Sequence, residues 1–257
     1  MIIYIPTRGR LTRQTTFNAL PPSLQAQAIF VVDSGKGVGY AGRYPTAKGV
    51  MELPSGLKGI AFIRQYIMEH CDEQRLVMLD DDLTLFVKNE ERKIVGATPI
   101  QVEDMFKELE HWLHSGFAHA GITPRFLNWQ DTADYKDATR MMHVLAYDRY
   151  AVNAAGARFT AGVDSTFSMD DFHMTLQLLR AGCPNRVSLS NCTSPSASNS
   201  TGGASEWRTT ATHNASAERL AELHPGFVKV KVKQDWKGMG GGERKDVTVQ
   251  WQKALKR

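Results

Sequence analysis

Leu76-Val77-Met78-Leu79 runs without a polar break into Asp80-Asp81-Asp82, and that junction limits the folds open to this chain. The apolar run reads as a buried strand, whereas three adjacent carboxylates at its end repel one another unless positive charge sits among them. These residues alone leave two readings open. A divalent cation such as Mg²⁺ or Mn²⁺ takes hard carboxylate oxygens and keeps positions for phosphate, so a D-x-D leaving a central strand suits a nucleotide diphosphate. An acidic turn that caps the segment after it is the other.

At 257 residues, 42% hydrophobic and 23% charged, the chain fits one large α/β domain or two small ones. It opens on the strand-like Ile2-Ile3-Tyr4-Ile5 with no basic n-region or long apolar h-region, and no later segment is apolar enough to span a bilayer. The expectation is a cytoplasmic, unprocessed protein with no membrane partner. Cys71, Cys183 and Cys192 are odd in number and lack C-x-x-C spacing, which points to free or buried thiols rather than a disulfide framework or a zinc site.

The net charge of +4 is unevenly spread, because Val228 to Arg257 holds nine basic and three acidic residues. With Trp236 and Trp251 among them, these cations resemble a surface for a polyanion, where Lys and Arg release counterions and aromatics stack on bases. The competing reading is a solvated strand face, since Lys229, Lys231 and Lys233 alternate with Val230 and Val232.

Apolar runs alternate with amphipathic stretches, the pattern of a mostly parallel sheet with helices on its faces. Strands are expected at Ile2 to Ile5, Ile29 to Asp33, Leu76 to Leu79, Ala118 to Ile122 and Met141 to Tyr147. Helices are expected from about Thr12, as a cap, to Ala19, and over Gly59 to Cys71, Val102 to Ser115 and Met169 to Ala181. Ser188 to Ser205 and Gly238 to Gly242 lack a core pattern and read as mobile loops, the first as an active-site lid.

The ordered motifs add up to a resemblance. Ile5-Pro6-Thr7-Arg8-Gly9-Arg10 after the first strand, Val31-Val32-Asp33-Ser34-Gly35 after the second, Gly59 to Arg64 before the acidic strand and Asp80-Asp81-Asp82 after it follow the order of GT-A glycosyltransferases. Met169-Asp170-Asp171-Phe172-His173-Met174, with Leu178 to Gly182 behind it, resembles that family's second acidic motif. More narrowly, the start, the approach to the aspartates and the aspartates themselves look like the TET-associated glycosyltransferases of phages. The resemblance implies a GT-A-like, Rossmann-like α/β domain over 1–227, its nucleotide-sugar half near 1–100 and its acceptor half near 101–227, with a basic extension over 228–257. It also implies a nucleotide-sugar donor, UDP-linked, and a hydroxymethylated pyrimidine such as 5-hydroxymethylcytosine in DNA as acceptor, inside a phage-infected bacterium.

Sugar transfer needs cations on the leaving diphosphate, a base for the acceptor hydroxyl and a site that pins the donor. Asp80 and Asp82 are the expected Mn²⁺ or Mg²⁺ ligands, and His213 a candidate third, its competing role being structural. Pro6, Thr7, Arg8, Arg10, Asp33, Tyr40, Arg64 and Asp81 are the expected nucleotide-sugar residues. Arg8 and Arg10 suit phosphate, Asp33 a uracil edge or ribose, and Tyr40 the nucleobase or a surface turn. Arg64 pairs with an Asp or a phosphate at the site, or serves only as a buried ion-pair partner that orders the triad. Asp171 is the expected base with Asp170 beside it, both with pKa lowered by the helix dipole; the alternative is a capping pair. Arg125, Trp129, Arg140 and His143, with Lys229, Lys231 and Lys233, are the expected acceptor residues, suited to an extruded base. Two alternatives stay open: a carbohydrate or lipid-linked acceptor, or a non-catalytic nucleic-acid-binding module on a nucleotide fold.

Overall fold

The structure is a computed structural model that describes residues 1–127, 133–195, 209–234 and 243–256. Along the chain, β1 (Ile2–Pro6), α1 (Thr15–Ala19), α2 (Pro22–Gln25), β2 (Ala28–Val32), α3 (Gly37–Arg43), β3 (Gly49–Glu52), α4 (Ile60–His70) and β4 (Arg75–Leu79) come first. Next are β5 (Leu83–Lys88), β6 (Ile94–Gly96), α5 (Pro99–His114), β7 (His119–Pro124), β8 (Tyr135–Asp137), β9 (Val144–Asp148), α6 (Arg149–Ala154), α7 (Asp170–Arg180) and β10 (Asn185–Pro195). The helix α8 (Thr210–Leu223), the hairpin β11 (Val228–Lys233) and β12 (Arg244–Val249), and α9 (Trp251–Leu255) follow.

The main sheet has the order β3-β2-β1-β4-β9-β7-β10-β5-β6, with β8 on β10. Its first four strands are mutually parallel. Beyond them β7, β10 and β6 share that direction, while β9, β5 and β8 run against it. Helices cover both faces, so strands must be apolar on both sides. In β1, Ile3 and Ile5 enter a core shared with α1, α2, α3 and α5, while Ile2 and Tyr4 enter one shared with α4, α6 and α7. In β4, Val77 and Leu79 take the first side and Leu76 and Met78 the second. That period of two decides where the carboxylates after Leu79 begin to point.

The long α5 starts three residues before the expected Val102, because Thr98 and Gln101 close a capping box and Pro99 takes the first helical position, where its missing N–H costs nothing. The first helix begins at Thr15 rather than Thr12. Its N-cap is Gln14, whose side chain makes no cap bond and is used inside the site. The glycine-rich stretch after β2, typical of a loop in composition, contains the helix α3.

The larger correction concerns the expected lid. Its first part, Ser188 to Pro195, belongs to β10, which lies between β7 and β5 with Ser188, Cys192 and Thr193 fully buried. Hydrogen bonds rather than apolar alternation accommodate these polar residues: Ser188 Oγ accepts from the Asn191 N–H at 3.2 Å, and Asn191 Nδ2 donates to Glu108 at 2.8 Å. The remainder of that segment, 196–205, and Gly238 to Gly242 lie outside the described residues. The three cysteines are free thiols, as expected.

A third core, built by Phe167, Met169, Leu176, Leu179, Ala217, Leu220, Phe227, Val228 and Ala254, joins α7 and α8 to the hairpin and α9. Among the described residues, no helix is long and apolar enough to cross a membrane.

Candidate active site

The alternation of β4 carries into the aspartates. Asp80 faces the α4 and α7 side, where Arg64 Nη2 reaches its Oδ1 at 2.9 Å. Asp81 faces the other side. There Thr7 Oγ1 donates to its Oδ2 at 2.5 Å and Arg10 Nη1 to its Oδ1 at 2.5 Å, while Arg10 also pairs with Asp82 Oδ2 at 3.1 Å. Gln14, fully buried, donates from Nε2 to Thr7 Oγ1 at 2.7 Å and to the Arg10 carbonyl at 2.9 Å. The turn itself is clamped by Thr16, whose Oγ1 donates to the Asp80 carbonyl at 2.5 Å and accepts from the Leu83 N–H at 2.8 Å. Gly9 makes this approach feasible, since its φ of 68° turns the chain between Arg8 and Arg10 at no side-chain cost. Gln14 and Thr16 were not expected; they sit in a polar turn whose sequence carries no signal of a buried hydrogen-bonding role.

Arg64 also reaches the second acidic motif, with Nη1 2.6 Å from Asp170 Oδ2. Gly59 sets the distance: its φ is 88°, and a Cβ there would lie 2.3 Å from the Ser165 carbonyl oxygen, so only glycine lets the start of α4 approach the loop before α7. Burial works against the Arg64 charge, but Asp170, Asp80 and Asp171 outweigh it and hold its pKa above the usual arginine range. Asp170 is 3% exposed and committed to Arg64. Asp171 is the freer of the two, with the Arg140 guanidinium 3.7 Å away.

Neither aspartate is the N-cap of α7, a place held by Met169. The expectation that the helix dipole lowers their pKa is corrected for Asp171. Burial pushes its pKa up, overcoming the pull of Arg140, with Asp170 adding to the rise. A raised pKa makes a stronger base, closer to the working range of a catalytic proton acceptor. On the other motif, burial raises Asp81 to about 6 against the pull of Thr7 and Arg10, and raises Asp82 with help from the charge of Asp80.

Arg8 lies with Asp33 rather than open to phosphate: Nε donates to Oδ2 at 2.7 Å and Nη2 to Oδ1 at 2.5 Å. This fork binds the exits of β1 and β2 together, so Arg8 and Asp33 form one charged unit. Tyr40 contradicts its expectation. It is 4% exposed, with its ring 5.2 Å from that of Phe30, because α3 turns it into the core; its hydroxyl lies 3.4 Å from Thr7 Oγ1. A ring packed there is unavailable to stack on a base. Pro6 ends β1 opposite Val31, beside Thr7.

His143 lies with the aspartates rather than apart in an acceptor region. Its carbonyl accepts from the Asp80 N–H at 3.0 Å, its Nδ1 is 3.3 Å from Thr193 Oγ1, and its backbone has a φ of 65°, uncommon for histidine. Arg140 sits at Asp171, with its guanidinium 4.0 Å over the Phe172 ring. Arg125 lies 4.8 Å over Phe86. Trp129 is outside the described residues. Lys229 and Lys231 are exposed on β11, and Lys233 pairs with Asp246 at 2.7 Å. His213 is not brought to Asp80 and Asp82: it lies on α8 with Nε2 3.4 Å from Asp246 Oδ1, because the hairpin packs against that helix.

The donor set at the aspartates fits a hard cation. Asp80 keeps 35% of its side chain exposed and Asp82 20%, and their mutual repulsion is part of what raises Asp82. Among the described residues no three His, Cys, Asp or Glu side chains gather as a ready cage. Two carboxylates completed by phosphate and water is the usual way Mg²⁺ is held beside a diphosphate.

The chain is 22% identical over 248 residues to the beta-glucosyl-HMC-alpha-glucosyl-transferase of Enterobacteria phage T6, covering 93% of this chain and 86% of that one. Its fold is that of GT-A glycosyltransferases. It superposes on S. aureus TarS 1-349, solved in complex with UDP-GlcNAc, with a TM-score of 0.56 at 11% identity, over 87% of this chain and 65% of that one. It superposes on glucosyl-3-phosphoglycerate synthase from Mycobacterium tuberculosis, solved with Mn²⁺, UDP and phosphoglyceric acid, with a TM-score of 0.52 at 11% identity, over 94% and 84%. The chain thus spans about two thirds of the TarS chain and most of the other two. With the profile of the TET-Associated Glycosyltransferase family matching residues 1–187, this protein belongs to that family of glycosyltransferases.

Proposed function

We propose that this glycosyltransferase moves a sugar from a UDP-sugar to a hydroxymethylated pyrimidine in DNA, with a divalent cation on the diphosphate. The observation that carries the reading is the meeting of the two acidic motifs through Arg64, whose guanidinium pairs with Asp80 of the first and with Asp170, the chain neighbour of Asp171, of the second. Asp80 and Asp82 would hold the cation, which would supply charge neutralisation on the departing diphosphate. Thr7, Arg10 and Gln14 fix the loop that carries them. Asp171 takes the proton of the acceptor hydroxyl as the new glycosidic bond forms, and Arg140 orients its carboxylate.

The acceptor rests on the phage relative, named for transfer to glucosyl-HMC, and on its match along nearly the whole chain. Hydroxymethylcytosine in a duplex hides its hydroxyl from a pocket catalyst, so the base is extruded. The same name favours a second reading within DNA, in which the acceptor hydroxyl belongs to a sugar already attached to the hydroxymethyl group. Both are tested by incubating oligonucleotides containing cytosine, hydroxymethylcytosine, hydroxymethyluracil or glucosylated hydroxymethylcytosine with a panel of nucleotide sugars, with Mn²⁺ or with EDTA. Mass spectrometry should find one hexose-sized gain on a modified base, dependent on Mn²⁺. Transfer only to free saccharides or lipid-linked acceptors would defeat the DNA reading, and undiminished transfer in EDTA would defeat the cation.

A further inference from the structure

A cleft of about 410 Å³ opens between the segment after β8 and the start of α9, with Lys136, Thr139, Gln250, Trp251 and Lys253 among its walls. Among the described residues no acidic side chain lines it, although the Asp137 side chain is nearby in sequence and is held by Arg186 at 2.8 Å. Its volume lies within the range of about 300–1,000 Å³ usual for small-molecule sites.

Its walls are fixed. Gln252 Nε2 donates to the Asp137 carbonyl at 2.7 Å, tying α9 to β8. Lys253 Nζ donates to the Gly226 carbonyl at 3.1 Å, which anchors the ammonium without neutralising it. Lys136 is exposed and has no ion pair among the described residues. The Trp251 ring stacks on Phe172 with centroids 5.6 Å apart and planes at 27°. Phe172 follows Asp171 in the chain and carries the Arg140 guanidinium on its face. A continuous line of Arg140, Phe172 and Trp251 therefore leads from the proton acceptor to the cleft.

We propose that the cleft seats a nucleotide of the acceptor strand beside the extruded base, with its phosphate between Lys136 and Lys253 and its base against Trp251. The proposal rests on the DNA-acceptor reading and specifies where the strand runs. Two ammonium groups beside an indole, with no carboxylate among the described lining residues, match a phosphodiester next to a base; a neutral saccharide is served by carboxylate as well as amide partners. An extruded base leaves the strand on either side of it close to the catalytic groups, and the stack of Phe172 on Trp251 runs from the chain neighbour of Asp171 to the cleft.

The test compares the wild type with Lys136→Gln/Lys253→Gln, using fluorescence anisotropy of a single-stranded oligonucleotide containing hydroxymethylcytosine across a range of NaCl, together with the oligonucleotide KM for transfer. The double variant should bind about tenfold more weakly at low salt, with a log–log salt slope shallower by about 0.7 for each lost phosphate contact. Its KM should rise with kcat little changed and its melting temperature intact. Trp251→Phe should bind better than Trp251→Leu, since a phenyl ring still stacks. Affinity, slope and KM unchanged in the double variant, while the wild type binds and modifies the oligonucleotide, would overturn the cleft. A wild type that modifies another acceptor and not DNA would overturn the acceptor reading, and the cleft with it.

Discussion

The Arg64 guanidinium is shared between Asp80 Oδ1, at 2.9 Å, and Asp170 Oδ2, at 2.6 Å. One buried cation thus holds the acidic turn after β4 against the start of α7. The side chain of Arg64 is 7% exposed and that of Asp170 4%, so neither charge has water to replace a lost partner. Removing one member of such a pair typically costs about 3–5 kcal/mol. Arg64→Ala should therefore lower the melting temperature by many degrees. Arg64→Lys should fold better yet lose turnover by about 100-fold, because one ammonium lacks the fork that spans both carboxylates. Melting curves and single-turnover rates check this, and a lysine variant with full activity would refute the bridging role.

Asp170 and Asp171 should separate by phenotype. Asp171→Asn removes a carboxylate whose charge burial disfavours, so its melting temperature should hold or rise, while transfer falls by about 10²–10⁴ in kcat. Asp170→Asn leaves Arg64 with half its compensation and should lose stability first. Matched thermal melts and initial rates distinguish the two; equal small losses in rate would mean that Asp171 is not the base.

Much of this site was legible in the sequence because its chemistry is carried by adjacent like charges. Asp80-Asp81-Asp82 and Asp170-Asp171 demand cations, and Arg64 sits on a helix whose apolar spacing, Ile60, Ile63, Ile67 and Met68, is plain. What escaped notice depended on burial, which a residue name does not reveal. Tyr40 lies among Gly37, Gly39 and Gly42, a composition typical of loops, but α3 turns its ring onto Phe30. Ser188 and Thr193 look like loop residues, yet they sit in a central strand where Asn191 and His143 use their hydroxyls. The direction of the Asp171 shift failed for the same reason: the dipole argument is local, and desolvation by the surrounding fold is not.

Asp82 supplies a test of the cation that does not rely on turnover alone. Burial and the charge of Asp80 both disfavour its carboxylate, so Asp82→Asn should melt no lower than the wild type when no divalent ion is present. Adding UDP with Mn²⁺ should then raise the wild-type melting temperature and leave the variant nearly unmoved, because a ligand stabilises only the state that binds it. A gain of about 2.7 kcal/mol is expected at a hundredfold excess over Kd. Equal gains in both proteins would remove Asp82 from the cation site.

The last expectation concerns acid stability. His173 and His224 are buried against each other, Nδ1 to Nε2 at 2.8 Å, and Arg180 Nη1 lies 3.1 Å from His224 Nδ1. Burial holds His173 down to about 4; burial, with the charges of His173 and Arg180, holds His224 down to about 3. Their unfolded pKa is near 6.5, so between about pH 4 and 6.5 the unfolded chain binds more protons than the folded one, and stability rises with pH across that window. It is fully present above pH 6.5 and is lost as the pH falls, by up to about 1.4 kcal/mol per pH unit for each histidine. His119, the first residue of β7, is held down to about 3 by burial and adds the same sign. Asp81, raised to about 6, and Asp82 and Asp171, also raised by burial, carry the opposite sign in that window, so the histidine contribution is read as a difference. From pH 8 to pH 4.5 the urea midpoint of the wild type relative to His224→Gln should be flat down to about 6.5 and then fall, since glutamine keeps a hydrogen bond to His173 without titrating. A difference between the two proteins that does not change between pH 7 and pH 5 would show that His224 gains its proton without unfolding cost.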